Sequence, residues 1–144
     1  MNKTVYLITG PTGIGKSNFA INLSKKINGQ IINADSMQIY EELKVLSARP
    51  SISDIKNVPH HLYGYVKGSE RFNVEKWCTD ASNKILSLHK NNITPILVGG
   101  TGLYIYTLIN GITSVPKIPE TLKSESNKLY NKIGSENFFK LVNK

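Results

Sequence analysis

The sequence has little cysteine, few acidic residues and no long apolar run. Cys78 is the single cysteine among 144 residues, so an internal disulfide is excluded and a reducing compartment suits the chain. No apolar stretch approaches the roughly 18 residues that a membrane-spanning helix needs. The first residues lead into a strand pattern rather than a secretion leader. We therefore expect a cytoplasmic protein with no membrane partner.

Acidic residues are scarce relative to basic ones, which gives the chain a net charge of +8. A positive charge suits an anionic partner such as nucleic acid or a phosphorylated metabolite. The basic residues are mostly scattered lysines, however, and the chain is also rich in Asn and Ile, so a compositional bias explains the charge equally well. With 40% hydrophobic residues, the chain has enough apolar side chains for a folded core.

Short apolar runs alternate with helical patterns along the chain. Strand patterns lie at 5–8, 31–32 and 95–98. Helical patterns lie at 17–27, 77–88 and 103–109, and two more follow Pro119, separated by Gly134. Residues 41–73 contain scattered Pro and Gly and are predicted to be mostly loop. This alternation predicts an α/β fold with a parallel sheet flanked by helices. Because the last helix ends abruptly, we expect the chain to be truncated at the C-terminus.

A complete phosphate-binding loop, G-x-x-x-x-G-K-S, follows the first strand and opens the first helix. Its glycines let backbone N–H groups turn inward, and the helix N-terminus adds partial positive charge. The lysine is predicted to reach an outer phosphate, and the serine hydroxyl to ligate Mg²⁺. The loop predicts a P-loop NTPase-like core that binds a diphosphate or triphosphate such as ATP. Its residues are Gly10, Pro11, Thr12, Gly13, Ile14, Gly15, Lys16 and Ser17.

The loop does not by itself name the reaction. A usual ATPase has an Mg²⁺-binding Asp at the end of a second strand, but the strand at 95–98 ends in Gly99-Gly100-Thr101. The acid lies instead at Asp35, after the strand at 31–32, where small kinases can place a residue that faces the acceptor. Asp35 therefore either acts on the attacking group or caps a helix that begins near Met37.

Four blocks resemble the tRNA dimethylallyltransferases, also called tRNA isopentenyltransferases. They are 10–17, Ala34–Tyr40 (ADSMQIY), Val58–Leu62 (VPHHL) and Ile96–Tyr104 (ILVGGTGLY), in the family's order. The resemblance implies that a dimethylallyl group moves from dimethylallyl diphosphate to the exocyclic amine of the adenine 3′ of a tRNA anticodon. The partners would be dimethylallyl diphosphate and a tRNA anticodon stem-loop, the cofactor Mg²⁺, and the working form a monomer.

The same resemblance implies roles for individual residues. Asp35 would accept a proton from the amine, and Thr101 would hydrogen-bond the bridging oxygen or the amine. Ser36, Met37 and Gln38 would contact the flipped adenine together with these two residues. Lys123 would bind a tRNA phosphate or the diphosphate, unless it is simply a solvated helix lysine.

The sequence also departs from the family pattern. Where the family often reads Gly-Thr-Ala-Lys-Pro, this chain has Leu-Ser-Ala-Arg-Pro at 46–50. Family members are considerably longer, so residues 1–144 would form the P-loop catalytic core without the helical tRNA-binding insertion and the C-terminal part. We expect this chain alone to be weakly active or inactive. The remaining side chains of note are predicted to be structural: Cys78, Tyr104 and Tyr106 in the core, and His60 and His61 in packing.

Three other functions stay open. A small-molecule P-loop kinase would consume ATP without a prenyl donor. An isopentenyltransferase acting on free adenine nucleotides would share the core chemistry. A non-catalytic P-loop module would bind diphosphate and tolerate Asp35→Ala.

Overall fold

The computed structural model describes residues 4–112 and 118–143, and the chain divides into two compact units, Met1–Ile112 and Thr113–Lys144. The assignment of all 144 residues to one catalytic core stays a prediction. The first unit alternates strands and helices in the following order: β1 (Tyr6–Thr9), α1 (Lys16–Ile27), β2 (Gly29–Asn33), α2 (Ile52–Asn57), β3 (His60–His61), α3 (Val74–Lys90), β4 (Thr94–Gly99) and α4 (Gly102–Asn110).

The four strands form one parallel sheet in the order β1-β4-β2-β3. β4 is central, with Val98 opposite Ile8 on one side and Ile96 opposite Ile31 on the other. The predicted α/β class with a parallel sheet is confirmed. Because the strands are parallel, the chain leaves β1, β2 and β4 at the same edge, and there it carries the phosphate loop, Asp35 and Thr101.

Helices cover both faces of the sheet, since consecutive strand residues point to opposite sides. Ile31 and Ile96 pack with Ala20 and Ile21 of α1 in one apolar cluster. Ile32 and Leu97 pack in a second cluster with residues of α3 and α4, namely Trp77, Ala81, Leu88 and Tyr104. The short apolar runs of the sequence are therefore strands that are buried on both faces, as is usual in parallel sheets.

Helix boundaries follow local chemistry. α1 begins after Gly15, whose φ is 90°, and ends at Asn28, whose φ is 50°, at the predicted Asn-Gly stop. The Asn73 side chain caps α3 by accepting a hydrogen bond from Lys76 N at 2.9 Å.

Residues 41–73 are mostly loop, as predicted. Two short elements interrupt the loop, because a capping box formed by Ser51 and Asp54 starts α2 and His60 pairs with Ile31 of β2. The expectation that Tyr106 lies in the core was wrong. Tyr106 is 65% exposed, whereas Tyr104, two positions earlier on α4, is 5% exposed and stacks on Trp77 with ring centroids 4.4 Å apart. Residues two apart on a helix point in different directions, so only one of the pair reaches the core.

The second unit contains α5 (Glu120–Val142), whose helical geometry breaks at Gly134, with a φ of 78°. The predicted interruption at this glycine is confirmed. Ion pairs lie along the helix surface, with Lys123 Nζ 2.7 Å from Glu120 Oε1 and Lys140 Nζ 3.2 Å from Glu136 Oε1. Within the described ranges, no helix is long and apolar enough to cross a membrane.

Candidate functional site

The phosphate loop curls between β1 and α1 with three glycines at positive φ. Gly10, Gly13 and Gly15 have φ values of 149°, 84° and 90°, a region that side chains disfavour. The Lys16 ammonium donates to the carbonyls of Gly10 at 2.8 Å and Pro11 at 2.7 Å. An ammonium has three donors, so one remains to meet a phosphate oxygen. The loop therefore has the backbone and the anchored cation that an anion site needs.

Asp35 lies just beyond β2, and its position is fixed by hydrogen bonds of its backbone and its side chain. Its N–H donates to the Asn33 side chain at 2.9 Å, and its Oδ1 accepts from Met37 N at 2.9 Å. Residues 36–39 form turns rather than a helix, so the alternative role of Asp35 as a helix cap is wrong. The carboxylate therefore holds this turn through one of its two oxygens.

Thr101 is tied directly to the segment that carries Asp35. Its Oγ1 accepts from Ser36 N at 2.9 Å and lies 3.3 Å from Ser36 Oγ, while its own N–H donates to Ala34 O at 3.3 Å. The start of α4 and the end of β2 therefore form one rigid unit. In this geometry the Thr101 hydroxyl holds Ser36 in place.

The two strand ends approach so closely that only glycine fits at position 99. A Cβ on Gly99 would lie 2.1 Å from Ala34 O. This contact brings the Gly-Gly-Thr segment against the Ala-Asp-Ser segment, although they are far apart in sequence.

A cavity of about 450 Å³ collects many of the predicted residues, although its lining does not include Gly10, Pro11, Ile14, Ser36 or Thr101. The phosphate loop and α1 contribute Thr12, Gly13, Gly15, Lys16 and Ser17, and the segment after β2 contributes Asp35, Met37 and Gln38. Ser36 and Thr101 support the wall of this cavity through the hydrogen bonds above. A volume of this size is typical of small-molecule sites.

Several functional residues were missed by sequence reasoning. Leu46, Ser47 and Ala48 form part of the cavity wall, and Gln38 Nε2 holds this loop by donating to Ser47 O at 2.7 Å. Part of the predicted adenine-binding side chain is therefore used to position the loop. The sequence departs from the family pattern at 46–50, and part of this segment lies on the cavity wall. That departure is the one feature of the sequence that pointed to the segment.

Tyr63 also lines the cavity and was not predicted. Burial raises the pKa of its phenol well above the ordinary value, and the negative charge of Asp35 raises it further. Tyr63 therefore stays a neutral hydroxyl at physiological pH, able to donate a hydrogen bond.

The predicted Mg²⁺ ligand, Ser17, lines this cavity at the start of α1. One hydroxyl is compatible with Mg²⁺, because this ion commonly takes one or two protein oxygens and completes its shell with phosphate and water. Among the described residues, no cluster of three or more His, Cys, Asp or Glu side chains is placed to hold a metal ion. A site of this kind would therefore depend on the phosphate groups of a ligand.

The remaining predicted residues lie elsewhere. His61 Nε2 and Gln30 Oε1 are 2.7 Å apart, and His60 Nδ1 lies 2.7 Å from Val58 O, so the histidine pair stabilises the sheet edge. Burial lowers the pKa of His61 to about 4, helped by the nearby charges of Lys84 and His60. Lys123 belongs to α5 in the second unit, and its binding role stays a prediction.

Comparison with known proteins places these features in a family. Residues 38–144 match the family described as IPP transferase, and residues 3–63 match the family described as isopentenyl transferase. The chain is 48% identical over 136 residues to a tRNA dimethylallyltransferase of Pelagibacter ubique, covering 94% of this chain and 44% of the relative. It is 42% identical over 130 residues to one of Hyphomonas neptunium, covering 90% and 41%.

Solved structures give the same result. A tRNA isopentenylpyrophosphate transferase of Bacillus halodurans superposes with a TM-score of 0.76 at 32% identity, covering 92% of this chain and 44% of that one. A eukaryotic dimethylallyltransferase acting on tRNA superposes with a TM-score of 0.77 at 31% identity, covering 90% and 36%. The chain thus spans less than half the length of the relatives that it matches.

Proposed function

Because this chain belongs to the IPP transferase family, we propose that it transfers a dimethylallyl group from dimethylallyl diphosphate to the exocyclic amine of the adenine 3′ of a tRNA anticodon. The observation that carries this proposal is the single cavity shared by the phosphate loop and Asp35. A leaving-group site and a proton acceptor face the same space, as an alkyl transfer to an amine requires.

The diphosphate end of the donor belongs on the phosphate loop. When the allylic C–O bond breaks, negative charge develops on the departing oxygen and positive charge on the carbon. Lys16 and the backbone N–H groups at the start of α1 stabilise that oxygen charge from positions fixed before the reaction. The Lys16 bonds to Gly10 O and Pro11 O support this role, because they hold the ammonium without consuming all its donors.

The acceptor end of the reaction belongs at Asp35. The adenine amine is a weak nucleophile, and it must lose a proton as its nitrogen bonds to the allylic carbon. The Asp35 oxygen that Met37 does not hold takes this proton, while Oδ1 stays bound to Met37 N. Thr101 and Ser36 keep the segment in place, and Gln38 and Met37 provide the neighbouring surface for the flipped base.

Mg²⁺ bound by Ser17 would neutralise charge on the diphosphate. We also propose that Lys123, exposed on α5 beside Glu120, contributes charge for tRNA phosphate. The expected setting is a cytoplasmic monomer. The free Cys78 suits a reducing compartment, and the relatives are tRNA-modifying enzymes, so both observations support a cytoplasmic location.

A single-turnover transfer assay tests the function. Labelled dimethylallyl diphosphate and a tRNA anticodon stem-loop are incubated with excess chain and Mg²⁺, because transfer by this chain alone is expected to be slow. We expect prenylation of the adenine 3′ of the anticodon and a rate loss of about 100-fold in Asp35→Asn, as loss of a general base predicts. Asp80→Asn is the matched control, since Asp80 bonds Tyr65 outside the cavity at 3.0 Å.

Other products would overturn the proposal. Phosphate transfer from ATP without a prenyl donor would identify a kinase. Prenylation of free adenosine monophosphate, with none on the stem-loop, would identify a nucleotide isopentenyltransferase. Diphosphate binding with no transfer, unchanged in Asp35→Ala, would identify a non-catalytic module.

A further inference from the structure

Asn33 is the last residue of β2, and its side chain is completely buried. A buried amide is stable only when its donors and acceptor are all paired. Oδ1 accepts from Asp35 N at 2.9 Å, while Nδ2 donates to Asp35 O at 2.9 Å and to Leu62 O at 3.0 Å. The amide therefore binds two separate chain segments and uses both of its N–H donors in doing so.

Both of those segments lead directly to the cavity. Asp35 lines it, and Leu62 precedes Tyr63, which lines it from the side of β3. Leu62 has a φ of 61°, a left-handed conformation that is unfavourable for a bulky residue. The bond from Asn33 to the Leu62 carbonyl helps to hold this conformation.

The backbone carbonyl of Asn33 is hydrogen-bonded to a side chain of the core. The Trp77 indole donates to Asn33 O at 3.0 Å, and Trp77 is fully buried against Tyr104. The side chain is thus fixed on a rigid support and extends its three hydrogen bonds toward the site.

We propose that Asn33 is a positioning residue that sets the carboxylate of Asp35 and the phenol of Tyr63 relative to each other. The inference rests on the proposed function, because it assigns the positioning to prenyl transfer. Asn33 holds Asp35 at both its N–H and its carbonyl, and Met37 N then orients the carboxylate. Loss of the amide frees both segments, and a displacement of about 1 Å at a proton acceptor lowers a rate by about 100-fold.

Two variants separate the functions of the amide. Asn33→Ala removes all three hydrogen bonds. Asn33→Asp keeps an acceptor for Asp35 N but turns an oxygen toward the carbonyls of Asp35 and Leu62, so both donated bonds are lost. Leu88→Ala is the control for general loss of stability, because Leu88 is 5% exposed in the core and distant in sequence from the site.

Amide hydrogen exchange in the 144-residue chain provides the structural readout. Asp35 N–H bonds Asn33, and Gly64 N–H bonds Gln38 O at 2.8 Å just after the strained Leu62. In Asn33→Ala we expect both amides to exchange about tenfold faster than in Leu88→Ala, as loss of one hydrogen bond predicts. In Asn33→Asp we expect the increase at Gly64 but not at Asp35.

The kinetic readout is the single-turnover transfer rate together with affinity for inorganic diphosphate. We expect the rate to fall by about 100-fold in both variants, with diphosphate affinity unchanged because the phosphate loop is untouched. Exchange at Asp35 and Gly64 no faster than in Leu88→Ala would overturn the inference, and so would an unchanged transfer rate. If Asn33→Ala does not fold, Asn33→Asp decides alone. A wild-type chain that transfers phosphate from ATP without a prenyl donor, but shows the expected exchange pattern, would sink the proposed function while supporting Asn33 as the positioning residue of this cavity.

Discussion

Replacing Gly99 with alanine should force apart the two strand ends on which the site is built. The added Cβ would lie 2.1 Å from Ala34 O and 2.2 Å from Ala34 C. Ordinary contacts begin at 3.4 Å, so one backbone must retreat by about 1 Å. Neither atom belongs to a flexible side chain, and the strain cannot be relieved by a rotamer change.

The cost follows from two contributions. Ala34 N donates to Val98 O at 2.8 Å, and a retreat of this size breaks that bond at a cost of about 1 kcal/mol. Overpacking of a closely packed interior adds about 1–3 kcal/mol. We therefore expect Gly99→Ala to lower the free energy of unfolding by about 2–4 kcal/mol. Because Asp35 follows Ala34 directly, we also expect prenyl transfer to fall by about 100-fold.

Urea unfolding measures the stability change, and Gly102→Ala provides the matched control. A Cβ on Gly102 meets nothing within 4 Å, and the residue lies in the first turn of α4. Alanine is a better helix former, so this variant should be as stable as the wild type or more stable by up to about 1 kcal/mol. A Gly99→Ala variant within about 0.5 kcal/mol of the wild type, the range of neutral surface changes, would refute the reasoning.

Two further predictions concern pH and phosphate binding. Because burial lowers the pKa of folded His61 to about 4, below its unfolded value of 6.5, its contribution to stability is complete above pH 6.5 and is lost as the pH falls toward 4. Solvent reaches the half-buried ring, so the free energy of unfolding should fall by about 1 kcal/mol. Urea unfolding between pH 7.5 and 5 should show that this free energy depends less steeply on pH in His61→Gln than in the wild type. A pH dependence of His61→Gln equal to that of His89→Gln would contradict the prediction. Lys16→Met should weaken binding of inorganic diphosphate by at least about tenfold in calorimetry, as loss of a charged hydrogen bond predicts. Lys26→Met, at the exposed end of α1, should bind normally; equal losses in the two variants would point to net charge instead.

The parts of the site that the sequence predicted are those whose geometry is local. The phosphate loop is a short run in which the glycines, the lysine and the following helix interact with one another. Ile31 and Ile32 predicted a doubly buried strand because adjacent residues on a strand face opposite sides. The position of Asp35 followed from the strand before it.

The parts that were missed depend on contacts between distant positions. β3 is only two residues long and exists because His60 pairs with Ile31, so no local pattern marks it. The motif around Gln38 predicts that its side chain contacts a ligand, yet its amide donates to Ser47 O in a loop of the cavity wall. Tyr104 and Tyr106 are both tyrosines, and only the face that α4 turns to the core decides which of them is buried.

By itself, the sequence determined that the chain has a phosphate loop, a parallel α/β core and an acid at the end of the second strand. These properties follow from residue type and short spacing. Only the tertiary structure decided that Gly99 touches Ala34, that Thr101 holds Ser36, and that Asn33 bonds both Asp35 and Leu62, the latter 29 positions away. The physical reason is that close backbone contacts and buried hydrogen bonds depend on which segments the sheet order places side by side.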